Sequence, residues 1–168
     1  MSLTSYCEFN EVRSTLGVND IELTDSVLAL PVYEMGLIRE LNRLSTSLNA
    51  AFLTIHAKSS SARLTGEATL HDAVRLFSVY AAARQVGVSL ANFAPKDVGD
   101  GKATVSRYAG EPFEKVMERV EEYYSVLRTE LRTTYDDYAS TTSTVNPSTT
   151  PTTFFVASKR GYDPVTGA

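Results

Sequence analysis

Pro112-Phe113-Glu114-Lys115-Val116-Met117-Glu118-Arg119-Val120-Glu121-Glu122-Tyr123-Tyr124-Ser125-Val126-Leu127-Arg128-Thr129-Glu130-Leu131 is the stretch that decides the fold. Phe113, Val116, Met117, Val120, Tyr124, Leu127 and Leu131 recur every three or four residues, the spacing that lines one face of an α-helix. Glu114, Glu118, Glu121, Glu122, Arg128 and Arg132 cover the opposite side. Pro112 stands where a first-turn proline is tolerated, because the N–H it lacks has no partner there. The helix is expected to run to about Tyr138. The acidic group Glu118, Glu121 and Glu122 reads as a solvated face that would also suit a basic partner. Asp136 and Asp137 sit near the helix C-terminus, where negative charge opposes the helix dipole. They point to a frayed end or to a cation on another subunit.

Upstream, helical spacing recurs with clear punctuation. Glu8 to Leu16 is a brief helix with Phe9, Val12, Arg13 and Leu16 on one face, and Gly17 falls where a C-cap glycine belongs. Val18 to Leu23 is a connector. Thr24 or Asp25 caps the next helix, whose apolar positions are Val27, Leu30, Leu37, Ile38, Leu41 and Leu44. Pro31 splits it, with the longer piece from about Val32 to Leu44. Leu48 to Ala57 is a third helix on Leu48, Phe52 and Ile55. Thr69-Leu70-His71-Asp72 resembles a capping box that opens a strong helix to Val86. That helix has two apolar stripes, Leu70, Val74, Phe77 and Ala81 on one and Leu76, Val79, Ala83 and Val86 on the other, which predicts a central place in a bundle. Phe93 to Gly110 reads as irregular, with Pro95 and a Gly99-Asp100-Gly101 turn.

Downstream the composition changes. From Ser140 to Thr153, ten of fourteen residues are Ser or Thr, too polar to offset the entropy of ordering. Phe154-Phe155-Val156-Ala157 follows, then Lys159-Arg160-Gly161-Tyr162. An apolar patch on a polar leash gains about 1.5–3 kcal/mol for each large side chain removed from water. Fourteen extended residues reach at most about 46–50 Å. The expected organisation is mainly α: a small bundle of about four to five helices over 1–139 and an extended Ser/Thr/Pro-rich arm over 140–168. Phe154, Phe155, Val156, Lys159, Arg160 and Tyr162 are the arm's candidate contacts with another protein. Docking of Phe154 and Phe155 on their own bundle is the alternative.

Length and composition bound the function. The chain has 168 residues, 43% hydrophobic and 21% charged, with a net charge of −4. It is long enough for one domain with a sizeable core. No apolar run approaches the roughly 20 residues of a bilayer span, and MSLTSYCEF lacks the basic and apolar regions of a secretory signal, so a soluble, cytosol-made protein is expected. DNA binding calls for a basic patch, and Lys159-Arg160 is too small to supply one. The lone Cys7 reads as a half-buried apolar residue. His56 and His71 read as helix-surface or cap residues; Asp72 adjoins His71 but should point to another side of the helix. No phosphate-binding loop, dinucleotide turn, nucleophile elbow or paired-cysteine metal site occurs, so no enzyme activity, metal or cofactor is expected. Arg107, between the Gly99-Asp100-Gly101 turn and the last helix, reads as an internal brace or an inter-subunit contact.

Three phrases together resemble the head-to-tail connector (adaptor) proteins of tailed bacteriophages: Phe9-Asn10-Glu11-Val12-Arg13 to Leu16-Gly17-Val18 with Leu28-Ala29-Leu30-Pro31-Val32-Tyr33; Asp100-Gly101-Lys102 to Ser106-Arg107-Tyr108 before a Tyr-rich helix; and Phe154-Phe155-Val156-Ala157-Ser158 to Asp163-Pro164-Val165. The resemblance implies a small helical bundle repeated as a ring, commonly a homododecamer, at the virion neck. Its partners would be the portal protein above and the tail or stopper protein below, with DNA only as passing channel contents and no membrane. A tail-terminator or tail-completion protein, and a soluble helical module with a partner-recognising tail, are the rival expectations.

Overall fold

A computed structural model describes residues 2–93, 97–99, 104–106 and 111–143. The arm residues Phe154, Phe155, Val156, Lys159, Arg160 and Tyr162, and the loop residue Arg107, lie outside the described residues. The protein is a small, mainly α helical bundle. Its helices are α1 (Phe9–Leu16), α2 (Asp25–Leu28), α3 (Pro31–Leu44), α4 (Leu48–His56), α5 (Thr65–Phe93) and α6 (Glu111–Ser143). Two three-residue strands, β1 (Asp97–Gly99) and β2 (Thr104–Ser106), pair antiparallel with Val98 opposite Val105, where an irregular segment was expected. No helix among the described residues is long and apolar enough to cross a membrane.

The long helices α5 and α6 form an antiparallel pair. Gly87 meets Met117, Arg84 meets Glu121, and Phe77 meets Tyr124, so positions rise on one helix as they fall on the other. α1, α3 and α4 pack against α5, which is therefore the central helix, as its double stripe predicts. Leu70, Val74, Phe77, Ala81, Val79, Ala83 and Val86 are buried; Leu76, from the second stripe, is exposed. From α6, Val120, Tyr124, Leu127 and Leu131 complete the core. At Gly87 a side chain would run into Met117 and crowd Leu16, so the missing Cβ lets α1, α5 and α6 approach one another.

Local chemistry sets the ends of the helices. Gly17 adopts φ 67°, the left-handed cap that ends α1. Pro31 is the first residue of α3 and separates it from the single turn of α2. α5 begins at Thr65, ahead of the expected Thr69 cap, because the Glu67 carboxylate accepts from the Leu64 N–H at 3.1 Å. Thr69 instead donates its hydroxyl to the Thr65 carbonyl within the helix. α6 runs past Tyr138 to Ser143, taking in the first four residues of the Ser/Thr run. There Ser140 and Thr141 donate to the Asp137 carbonyl and Thr142 to that of Tyr138, so their hydroxyls are satisfied inside the helix.

Arg13 is buried on the apolar face of α1. Its Nε donates to the Leu23 carbonyl at 2.8 Å, one terminal nitrogen to Asn10, and the other pairs with Asp25. One guanidinium thus ties the Val18–Leu23 connector and the start of α2 to α1. Leu3, Tyr6 and Cys7 precede the first expected helix yet belong to the core: Tyr6 stacks on Phe52 at 5.3 Å and donates to Asn49. Cys7 is fully rather than half buried, and desolvation, with Glu11 nearby, pushes its thiol up to about 12.

Candidate functional site

One polar network among the described residues joins the end of α4 to the first turns of α5. His71 is buried, its ring stacked on Phe52 at 5.4 Å between centres, and its Nε2 lies 3.2 Å from Nδ1 of the exposed His56. Asp72 does not point away: its Oδ1 lies 3.1 Å from Nδ1 of His71. A carboxylate accepts, so His71 carries its proton on Nδ1, and Nε2 then accepts from the His56 Nδ1–H. The 5.5 Å between the imidazole centres is accounted for by the N···N contact plus one ring radius on each side, so the rings meet edge to edge. One hydrogen joins the facing nitrogens, so no two imidazole lone pairs converge there on a shared cation. No group of three or more His, Cys, Asp or Glu among the described residues is placed to hold a metal ion. Arg63 closes the end of α4 by donating to the carbonyls of Ile55, His56 and Lys58. Lys58 pairs with Glu67 at 2.5 Å and holds that carboxylate below its ordinary range. The arrangement is a structural clasp between two helices, and its Glu67 also lines one of the three surface grooves described next.

One groove, of about 740 Å³, lies over Arg13, Asn19 and Asp25. A second, of about 650 Å³, lies where α3 meets α5 and α6. There Arg84 pairs with Glu121 at 2.5 Å and sits 4.7 Å from the Tyr124 ring centre, while Tyr124 donates to Glu40 at 2.9 Å. Burial, then the Glu40 carboxylate, raises the Tyr124 hydroxyl. Glu121 is therefore a paired member of the acidic group, whereas Glu118 and Glu122 are simply exposed. A third groove, of about 400 Å³, lies between the first turns of α5 and the last turns of α6. Asp137 lines it, and Asp136 is its exposed neighbour; neither has an ion-pair partner among the described residues.

The remaining feature is apolar. Val27, Leu30, Val32 and Met35 are exposed along α2 and the start of α3, Met35 at 62%. On α5 and α6, Leu76, Tyr123 and Val126 are exposed beside Tyr80, whose ring meets that of Tyr123 at 5.4 Å. Glu121, on the α3 side of α6, and Tyr123 are about 200° apart around the helix. The two apolar patches therefore occupy different sides of the bundle. Sequence periodicity contained this clue, since Val32, Met35, Tyr123 and Val126 fall off the buried stripes.

Comparison with known protein families, with curated proteins and with solved structures returns no match.

Proposed function

We propose that this chain is a non-enzymatic structural subunit of a tailed-phage neck, assembling as a ring that joins the portal of the head to the tail. The observation that carries this reading is the pair of separate apolar patches on a bundle whose interior is already satisfied. Among the described residues, no buried side-chain nitrogen or oxygen lacks a partner. Exposed apolar side chains grouped on one surface mark protein contacts. Two different patches favour a head-to-tail contact, in which the α2–α3 surface of one copy covers the α5–α6 surface of the next, and such contacts close into rings when the rotation allows. The resemblance to connector proteins supplies the place of the ring.

Electron microscopy of purified virions tests the proposal. A ring of this mass between portal and tail is expected, with twelve-fold symmetry; its absence from the neck would overturn the reading. Native mass measurement separates a dodecamer from the hexamer of a tail terminator and from a monomeric binding module. Deleting residues from Thr144 onward should leave the helical circular dichroism intact and abolish head–tail joining.

A further inference from the structure

We propose that the groove between the first turns of α5 and the last turns of α6 receives the Phe154-Phe155-Val156 segment of a second copy of this chain. This rests on the assembly reading above and names the occupant of one of its contacts. The groove is walled by Leu64, Gly66, Thr69 and the Lys58-paired Glu67 on one side and by Asp137, Tyr138 and Thr141 on the other. Most of its surface is apolar, and Leu64 is 72% exposed at its edge. The space above Gly66 is open, with no atom near the position a side chain would take. Its volume falls in the range of about 300–1,000 Å³ typical of sites for compact apolar groups, enough for an aromatic ring and its neighbour.

The match to the arm is one of chemistry and of length. Phe154, Phe155 and Val156 form the apolar group, and Lys159 and Arg160 follow three and four residues behind Val156. Asp137 on the wall and Asp136 beside it supply two carboxylates with no ion-pair partner among the described residues. An apolar group trailed by two cations therefore meets an apolar groove with the Asp137 carboxylate on its wall and that of Asp136 next in sequence.

Length permits a second copy, and the assembly reading selects it over the same chain. Because α6 continues to Ser143, the leash is Thr144 to Thr153. Extended, it reaches at most about 33–36 Å. The groove lies within the last turns of the helix from which that leash departs, and a turn of about 2–5 residues would suffice to fold back into it. The ten-residue leash, carrying Pro147 and Pro151, is long enough to cross to a neighbour as well. Repeated from copy to copy, the contact is head-to-tail and compatible with ring closure.

The test is a photo-crosslinking experiment on the full chain. A ¹⁵N-labelled chain carrying Phe155→p-benzoylphenylalanine is mixed with unlabelled wild-type chain, irradiated, digested and analysed by mass spectrometry. Links from the heavy arm peptide to light peptides containing Leu64–Thr69 or Thr134–Thr142 are expected. Leu64→Asp in the light chain, with its fold checked by circular dichroism, should lower their yield roughly tenfold, the worth of a buried leucine-sized contact. The paired change Asp136→Lys and Asp137→Lys should lower it as well. Links confined to the heavy chain, links that map outside the groove, links undiminished by Leu64→Asp, or no links at all would each overturn the proposal. A ring at the virion neck would survive any of those results, so the contact and the function fail separately.

Discussion

His56 Nδ1 and His71 Nε2 meet at 3.2 Å, in line with the contact from His71 Nδ1 to Asp72, so one row of hydrogen bonds clasps the end of α4 to α5. That row holds only while at least one of the facing nitrogens lacks a proton. Burial first, then His71, Arg63 and Arg75, hold His56 below its ordinary value of 6.5. The folded state thus binds fewer protons than the unfolded chain as pH falls past that value, and stability must fall with pH there. Urea unfolding at pH of about 7.5 and about 5.5 should show the wild-type midpoint dropping, with a smaller drop for His56→Gln. Equal drops would assign the effect to other groups.

Arg13 and Asp25 form an ion pair of unequal halves, because Arg13 is buried and Asp25 is 74% exposed. Asp25→Asn should cost about 0–1 kcal/mol, as for exposed pairs. Arg13→Ala also removes the donor to the Leu23 carbonyl and should cost about 2–3 kcal/mol. Chemical denaturation of both variants checks the order; comparable losses would contradict it.

The stripe on α6 sets the scale of core energetics. Leu131 is fully buried and Leu127 nearly so. Replacing either with Ala should cost about 2–5 kcal/mol, with Leu131→Ala the larger. A loss below about 1 kcal/mol at Leu131 would mean that α6 is not packed as described.

Cys7 should be inert in the folded protein. Its thiol is buried and shifted to about 12, so almost no thiolate exists at neutral pH. Labelling with a chromogenic disulfide should proceed only after denaturant opens the fold. Rapid native labelling would place the N-terminal turn outside the core.

The exposed apolar patches should serve association and not folding. Val32→Glu with Met35→Glu, or Tyr123→Ser with Val126→Glu, should change stability by no more than about 0.5 kcal/mol per site. Each pair should abolish ring formation in sedimentation or native mass measurements. Normal rings from both pairs would remove the patches from the assembly.

Much of the fold was legible in the residues. The stripe on α6, the double stripe on α5, Gly17 as a cap and Pro31 as a break are local features read from spacing. The ends of α5 and α6 were less legible, because Glu67 and the Ser/Thr hydroxyls could cap or continue a helix with equal chemistry. Their side chains chose between the two only in place. His71 was misread for a related reason: nothing in His71-Asp72 shows that His56 will arrive opposite its other nitrogen.

By itself the sequence determined which segments are helices and which faces they bury, since a period of 3.6 residues is carried by each segment alone. It also set the chemistry of the arm, an apolar group and two cations behind a polar leash. Only the tertiary structure decided which surfaces meet: the clasp of His56 on His71, Arg13 reaching Leu23, and the groove between the opposite ends of α5 and α6. Those depend on the register in which distant helices pack, and register is a property of the whole core that no single segment carries.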